Sequence, residues 1–203
     1  MHHEPPNPLD TLDEYQIQLN MAINTINRCT FKKVVELVEA RIIEGNHILT
    51  MGNGGSAAIA NHVACDLMKG IRADTELPAY VQSLCTNDAL MTALANDDGF
   101  SDVFSSQIEW YPSKDALVIA VSSSGNSKNI TDGLIAAQEM NFPTIAFVGF
   151  DGGYIVENKL ADHVIHVKSE NYGIIEDTHM ILFHTIGQFL RKKWARYGAA
   201  LKL

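Results

Sequence analysis

Two apolar runs, His47–Met51 and Ala116–Val121, each pass directly into a turn of small polar residues and then into a helical pattern. Runs of Val, Ile, Leu and Ala with little polar alternation are buried on both faces, which requires a parallel sheet covered by helices on either side. Three more runs of this kind, Ala79–Cys85, Thr144–Val148 and Asp162–Val167, bring the expected strands to five, with helices expected over Ser56–Lys69 and Lys128–Met140. The expected class is therefore α/β: a three-layer sandwich, doubly wound, with a five-stranded parallel sheet flanked by helices.

Two helices precede the first strand. Leu9–Asn27 carries Leu12, Tyr15, Ile17, Leu19, Ala22, Ile23 and Ile26, which is apolar on more than one face. Thr30 is positioned to cap a second helix, Phe31–Glu44, that stops near Gly45. A last long helix, about Ile174 to Arg196, ends in Arg191-Lys192-Lys193, which complements the negative end of its dipole. No repeat, low-complexity segment or Pro/Gly/Ser-rich linker divides the chain, so a loose N-terminal arm over 1–8 and a single domain over 9–203 are expected.

Composition narrows the partners. With 203 residues and 46% apolar content the chain can bury a full core. A formal net charge of −9 opposes nonspecific attraction to nucleic acid or to an anionic membrane, so neither is expected as a partner. Cys29, Cys65 and Cys85 are odd in number and widely spaced, which suits free thiols in a reducing, cytoplasmic setting. Any anionic ligand must then be held by local donors such as helix N-termini and backbone N–H groups.

Two turns offer such donors. Gly52-Asn53-Gly54-Gly55-Ser56 opens a helix beyond the carboxyl end of the first strand, and it matches neither the dinucleotide nor the nucleoside-triphosphate glycine pattern. Read alone, this turn serves a ligand or simply a tight strand-to-helix connection. Ser122-Ser123-Ser124-Gly125-Asn126-Ser127 places four hydroxyls at the start of another helix, more than one N-cap requires, and that composition suits a phosphate. Lys128 is placed to add attraction.

Metal ligands are also available. His62 and Asp66 are four apart on one helix face, and Glu176 and His184 are eight apart on the last helix, again sharing a face. Two imidazoles and two carboxylates are a suitable zinc set, although spacing alone more often describes core or solvated histidines. His179, five residues before His184, is turned away and is assigned to packing or solvent.

In order along the chain, Gly52-Asn53-Gly54-Gly55-Ser56, Asn96-Asp97, the Ser122–Ser127 turn and Asp151-Gly152-Gly153 resemble the sugar isomerase (SIS) domain family, and within it the phosphoheptose isomerases. The resemblance runs from the first helix to the last. It implies contacts from Asn53, Gly54, Gly55 and Ser56 to sugar hydroxyls, from Asn96 and Asp97 to the open chain, and from Ser122, Ser123, Ser124 and Ser127 to phosphate. Glu176 is placed among the substrate contacts too. It further implies one Zn2+ per subunit, held by His62, Asp66, Glu176 and His184, and a homotetramer with active sites at subunit interfaces. Asp66 and Glu176 stand where that branch usually carries Glu and Gln.

Moving a carbonyl along a sugar phosphate needs a base and an acid at adjacent carbons, and Asp66 and His184 are expected to fill those roles through an enediol. The resemblance thus implies conversion of sedoheptulose 7-phosphate to D-glycero-D-manno-heptose 7-phosphate for bacterial envelope polysaccharide. The rival expectations are a noncatalytic sugar-phosphate-binding regulator, of the type acting in replication initiation, and an isomerase of another sugar phosphate.

Overall fold

The computed structural model describes residues 7–113 and 115–195. The N-terminal helices are α1 (Pro8–Asn24) and α2 (Arg28–Ile43). The strand-bearing part follows as β1 (His47–Gly52), α3 (Gly55–Cys65), a π-helical turn over Asp66–Gly70, α4 (Ile71–Asp74) and β2 (Tyr80–Ser83). Then come α5 (Asp88–Asp97), α6 (Ser105–Glu109), β3 (Ala116–Ser122), α7 (Lys128–Glu139) and β4 (Thr144–Val148). Last are α8 (Gly153–Glu157), β5 (His163–His166) and α9 (Tyr172–Trp194).

The strands form one parallel sheet in the order β2-β1-β3-β4-β5. Every residue of β3 and β4 is buried, as their uninterrupted apolar sequence requires. Alternate side chains feed two cores. Ile48, Ile119, Val121 and Phe147 face α2, α3 and α9, whereas Leu49, Met51, Val118 and Ala120 face α5, α6, α7 and α8. The three-layer α/β sandwich is thereby established.

Several sequence expectations shift at their edges. The arm expected through residue 8 ends earlier, because Asn7 caps α1 and Pro8 is already helical, its missing N–H being no loss in the first turn. Residues 1–6 of that arm, and Arg196 at the expected end of the last helix, lie outside the described residues. Asn27, not Thr30, caps α2: its side chain accepts from Thr30 N at 3.0 Å. Helices α4, α5, α6 and α8 were not anticipated, since they span three turns or fewer and carry little periodicity.

Side-chain ties hold the outer helices to α9. Tyr15 donates to Asp177 at 2.7 Å, joining α1 to α9, and burial together with that bond pushes the Tyr15 phenol up to about 12. Lys193 donates to the buried Glu39 carboxylate at 2.8 Å, so part of the basic cluster pairs with α2 as well as facing the helix end. His179 is fully buried against Phe147 and donates from Nε2 to Val148 O at 3.2 Å, which decides between the two expected roles, packing and solvent, in favour of packing. Desolvation lowers its pKa from 6.5 to about 4.

Candidate anion cleft and histidine–carboxylate cluster

Sheet order reverses direction between β1 and β3, and in open α/β sheets the crevice beyond such a switch point is where ligands bind. A cleft of about 160 Å³ opens there, walled by Asn53, Ser56, Ser122, Ser123, Ser124, Ser127, Tyr172 and Glu176. The turn after β1 is locked to the turn after β3 by a reciprocal amide pair: Asn53 Nδ2 donates to Asn129 Oδ1 at 2.8 Å, and Asn129 Nδ2 returns a bond at 2.9 Å.

Helix caps differ between the cleft turns and the rest of the molecule. Among the described helices of ten residues or more, α1, α2, α5 and α9 are each capped by an asparagine side chain, Asn7, Asn27, Asn87 and Asn171. The two that follow the glycine and serine turns differ, whereas α9, which also begins at the cleft, is capped. Gly54 at the start of α3 has no side chain to offer, and Ser127 at the start of α7 makes no side-chain cap bond. First-turn N–H groups without a side-chain cap are satisfied by tight backbone bonds, as Ala57 N is by Asn53 O and Ile130 N by Ser127 O, or by water or ligand, and they carry the positive end of the dipole. Ser123 Oγ, buried in the same turn, has no hydrogen-bond partner either. Lys128 does not supplement these donors, because its ammonium pairs with Asp132 at 2.6 Å on the exposed side of α7.

Glu176 closes one wall. Its carboxylate lies where a Cβ on Gly55 would be, so glycine at this position lets the Glu176 side chain rest against the first turn of α3. Burial raises its pKa, with a smaller contribution from Asp177.

Farther along α9 a second cluster forms. His62 Nε2 and His184 Nε2 are 3.0 Å apart, and Asp66 Oδ2 is 3.2 Å from the first and 3.4 Å from the second. The π-helical turn begins at Asp66, with Ile71 N bonded to Asp66 O. Gly70, Gly187, Gln188 and Arg191 surround a small hollow beside Asp66 and His184. Three of the four expected metal ligands therefore meet, and Glu176 does not join them. Eight residues of helix rise about 12 Å, so sharing a face does not put two side chains at one point.

Asn96 and Asp97 are exposed at the end of α5, bonded to each other at 2.7 Å, and do not wall the cleft. Tyr172 and Asn129 were overlooked. Asn171 as an N-cap would have started the last helix early enough to draw in Tyr172, whereas nothing local marks Asn129 as the partner of Asn53.

Fold and cleft together define a doubly wound α/β domain with a polar, serine-lined cleft at its switch point. The SIS domain family model matches residues 14–149. The phosphoheptose isomerase of Geotalea daltonii is 36% identical over 161 residues, covering 79% of this chain and 82% of that protein. The probable phosphoheptose isomerase of Thermoplasma acidophilum is 34% identical over 161 residues, covering 79% and 87% respectively. The structure of phosphoheptose isomerase GmhA from Neisseria gonorrhoeae superposes with a TM-score of 0.80 at 28% identity, covering 91% of this chain and 96% of that one. This chain belongs to the SIS domain family and, within it, to the phosphoheptose isomerases.

Proposed function

We propose that this protein interconverts sedoheptulose 7-phosphate and D-glycero-D-manno-heptose 7-phosphate, supplying heptose for envelope polysaccharide. The observation that carries the reading is the arrangement along α9: an anion cleft at Glu176, and a carboxylate and two imidazoles about 12 Å of helix axis farther on. An elongated open-chain sugar phosphate suits that separation, with its phosphate on Ser122, Ser123, Ser124 and Ser127 and its reacting carbons toward Asp66 and His184. Serine hydroxyls and helix N-termini bind a dianion without formal charge, which answers the net charge of −9.

Asp66 and His184 would move the proton between adjacent carbons, one as base and the other as acid. Asn53 and Ser56 stand on the same wall as the serines and orient the chain's hydroxyls. Asn96 and Asp97 belong to this reading only through the family resemblance.

The trio also suits a zinc ion. Ligands at 2.0–2.1 Å in a tetrahedron are about 3.3 Å apart, and three protein ligands with an open position are the usual catalytic set. The separations of 3.0, 3.2 and 3.4 Å among His62, His184 and Asp66 fit that pattern. A bound zinc would polarise a substrate oxygen as a Lewis acid.

Assembly belongs to the same proposal. Helix α1 leaves Leu9, Leu12, Ile17 and Met21 at least 60% exposed, an apolar surface that association of copies would cover, and a homotetramer is the expected form. No helix among the described residues is long and apolar enough to cross a membrane, and the three free cysteines suit the cytoplasm.

The decisive assay incubates purified protein with sedoheptulose 7-phosphate and with other ketose phosphates, each with and without chelator. Aldose phosphate formed fastest from the seven-carbon substrate supports the proposal. Binding without turnover indicates a regulator. Glu176, a carboxylate inside an anion cleft, is the reason to include other ketose phosphates, and turnover of one of those alone would reassign the substrate.

A further inference from the structure

Asp151-Gly152-Gly153 has no part in the chemistry above, yet the segment joining β4 to α8 is bound to the serine turn at several points. Gly149 N donates to Ser123 O at 2.8 Å, Ile155 N to Gly125 O at 3.1 Å, and Tyr154 N to Asn126 Oδ1 at 2.8 Å. Two glycines make the contact possible. Gly125 has φ +65°, and a Cβ there would collide with Gly152 O. Gly153 has φ +53°, and a Cβ there would collide with Ser124 O and press on Asn126 Oδ1. Both positions therefore combine left-handed backbone with backbone packed on backbone, where a side chain is strained twice over.

The segment is itself held from behind. Gly153 N donates to Asp151 Oδ1 at 3.0 Å, Phe150 N to Ser169 O at 3.1 Å, and His166 Nε2 to Phe150 O at 2.9 Å. Phe150 keeps φ +47° in this setting and packs edge-on against Tyr172 of the cleft wall. A rigid segment thus draws the carbonyls of Ser123 and Gly125 toward itself. An acceptor oxygen turned toward a phosphate would repel it, so fixing those carbonyls elsewhere preserves the turn as a donor surface.

We propose that the β4–α8 segment, acting through Gly153, Gly152 and Asn126, is a positioning element that holds the serine turn in its anion-receiving shape and takes no part in proton transfer. This rests on the reading of that turn as the phosphate site. The segment binds no ligand itself. Its effect is confined to phosphate affinity.

The test compares Gly153→Ala and Asn126→Ala with wild type and with Gly45→Ala. Gly45 has φ +71° but only Pro78 at 3.9 Å from its Cβ position, so this control imposes backbone strain away from the serine turn. The Kd of inorganic phosphate is measured by titration calorimetry, KM and kcat with the ketose phosphate that the protein turns over, and Tm by thermal melts. Each of the two segment variants is expected to weaken phosphate binding and raise KM about tenfold, the loss of roughly one charged hydrogen bond, with kcat changed less than about twofold. Gly45→Ala is expected to lower Tm and leave phosphate affinity alone. If Gly153→Ala does not fold, Asn126→Ala carries the comparison. Phosphate affinity equal to wild type in the folded variants, or a fall in kcat at constant KM, overturns the inference while the phosphate reading stands. A wild-type protein that binds no phosphate overturns both.

Discussion

Ser127→Ala separates a hydroxyl that serves a ligand from one that serves the fold. Replacing a working N-cap serine by alanine destabilises a protein by about 1 kcal/mol, within roughly 0.5–2. Ser127 occupies the N-cap of α7 without making that bond, so its removal should change stability by no more than a few tenths of a kcal/mol. A hydrogen bond to a charged acceptor contributes roughly 1.5–3 kcal/mol, equivalent to a tenfold to hundredfold loss of phosphate or sugar-phosphate affinity. Asn27→Ala supplies the opposite case, because that side chain does accept from Thr30 N at 3.0 Å and does not wall the cleft. It should lower Tm by about 2–8 °C and leave affinity intact. Thermal melts and titration calorimetry on both variants at one protein concentration measure the contrast. A Ser127→Ala protein that melts as early as Asn27→Ala while binding as wild type does would refute the assignment of this hydroxyl to the ligand.

Acid should destabilise the protein through His179. Its folded pKa of about 4 lies below the usual 6.5, so the unfolded chain takes up a proton first, and stability present above pH 6.5 is lost as pH falls toward 4. The loss from this group is about 2 kcal/mol at pH 5. Urea titrations at pH 7.5 and 5 should show wild type losing that much more than His179→Gln, and equal losses would contradict it. Asp66→Asn and His184→Ala should each fold normally and lower isomerase turnover by about 10²–10⁴-fold. Undiminished turnover in either removes that residue from the proton-transfer pair. Sedimentation at micromolar concentration should give a tetramer that Leu12→Glu shifts toward smaller species, and a wild-type monomer would contradict the proposed assembly.

The layered fold was legible because its signal is local. β3 and β4 are apolar at every position that counts, and a chain segment of that kind has nowhere to go but between two layers of helices. The serine turn was equally legible, since four hydroxyls within six residues exceed any capping need. Short helices such as α6, where burial comes from Phe104 and Ile108 settling under α7, carry too few turns for periodicity to declare them.

Position along one helix is a weaker guide than position in space. Glu176 and His184 share a face of α9, and on spacing alone they read as partners, but the packing of α9 against α3 delivers Glu176 to Gly55 and His184 to His62 and Asp66. Likewise the caps look alike as letters: Asn27 and Ser127 both precede helices, and only the structure reveals that one side chain bonds its helix and the other does not. Residue chemistry and short-range periodicity, both encoded in consecutive residues, determined the class of fold and the serine turn. Which distant groups meet, and which donors remain for a ligand, was decided by the tertiary structure, because those outcomes depend on how separate elements approach one another through a shared core.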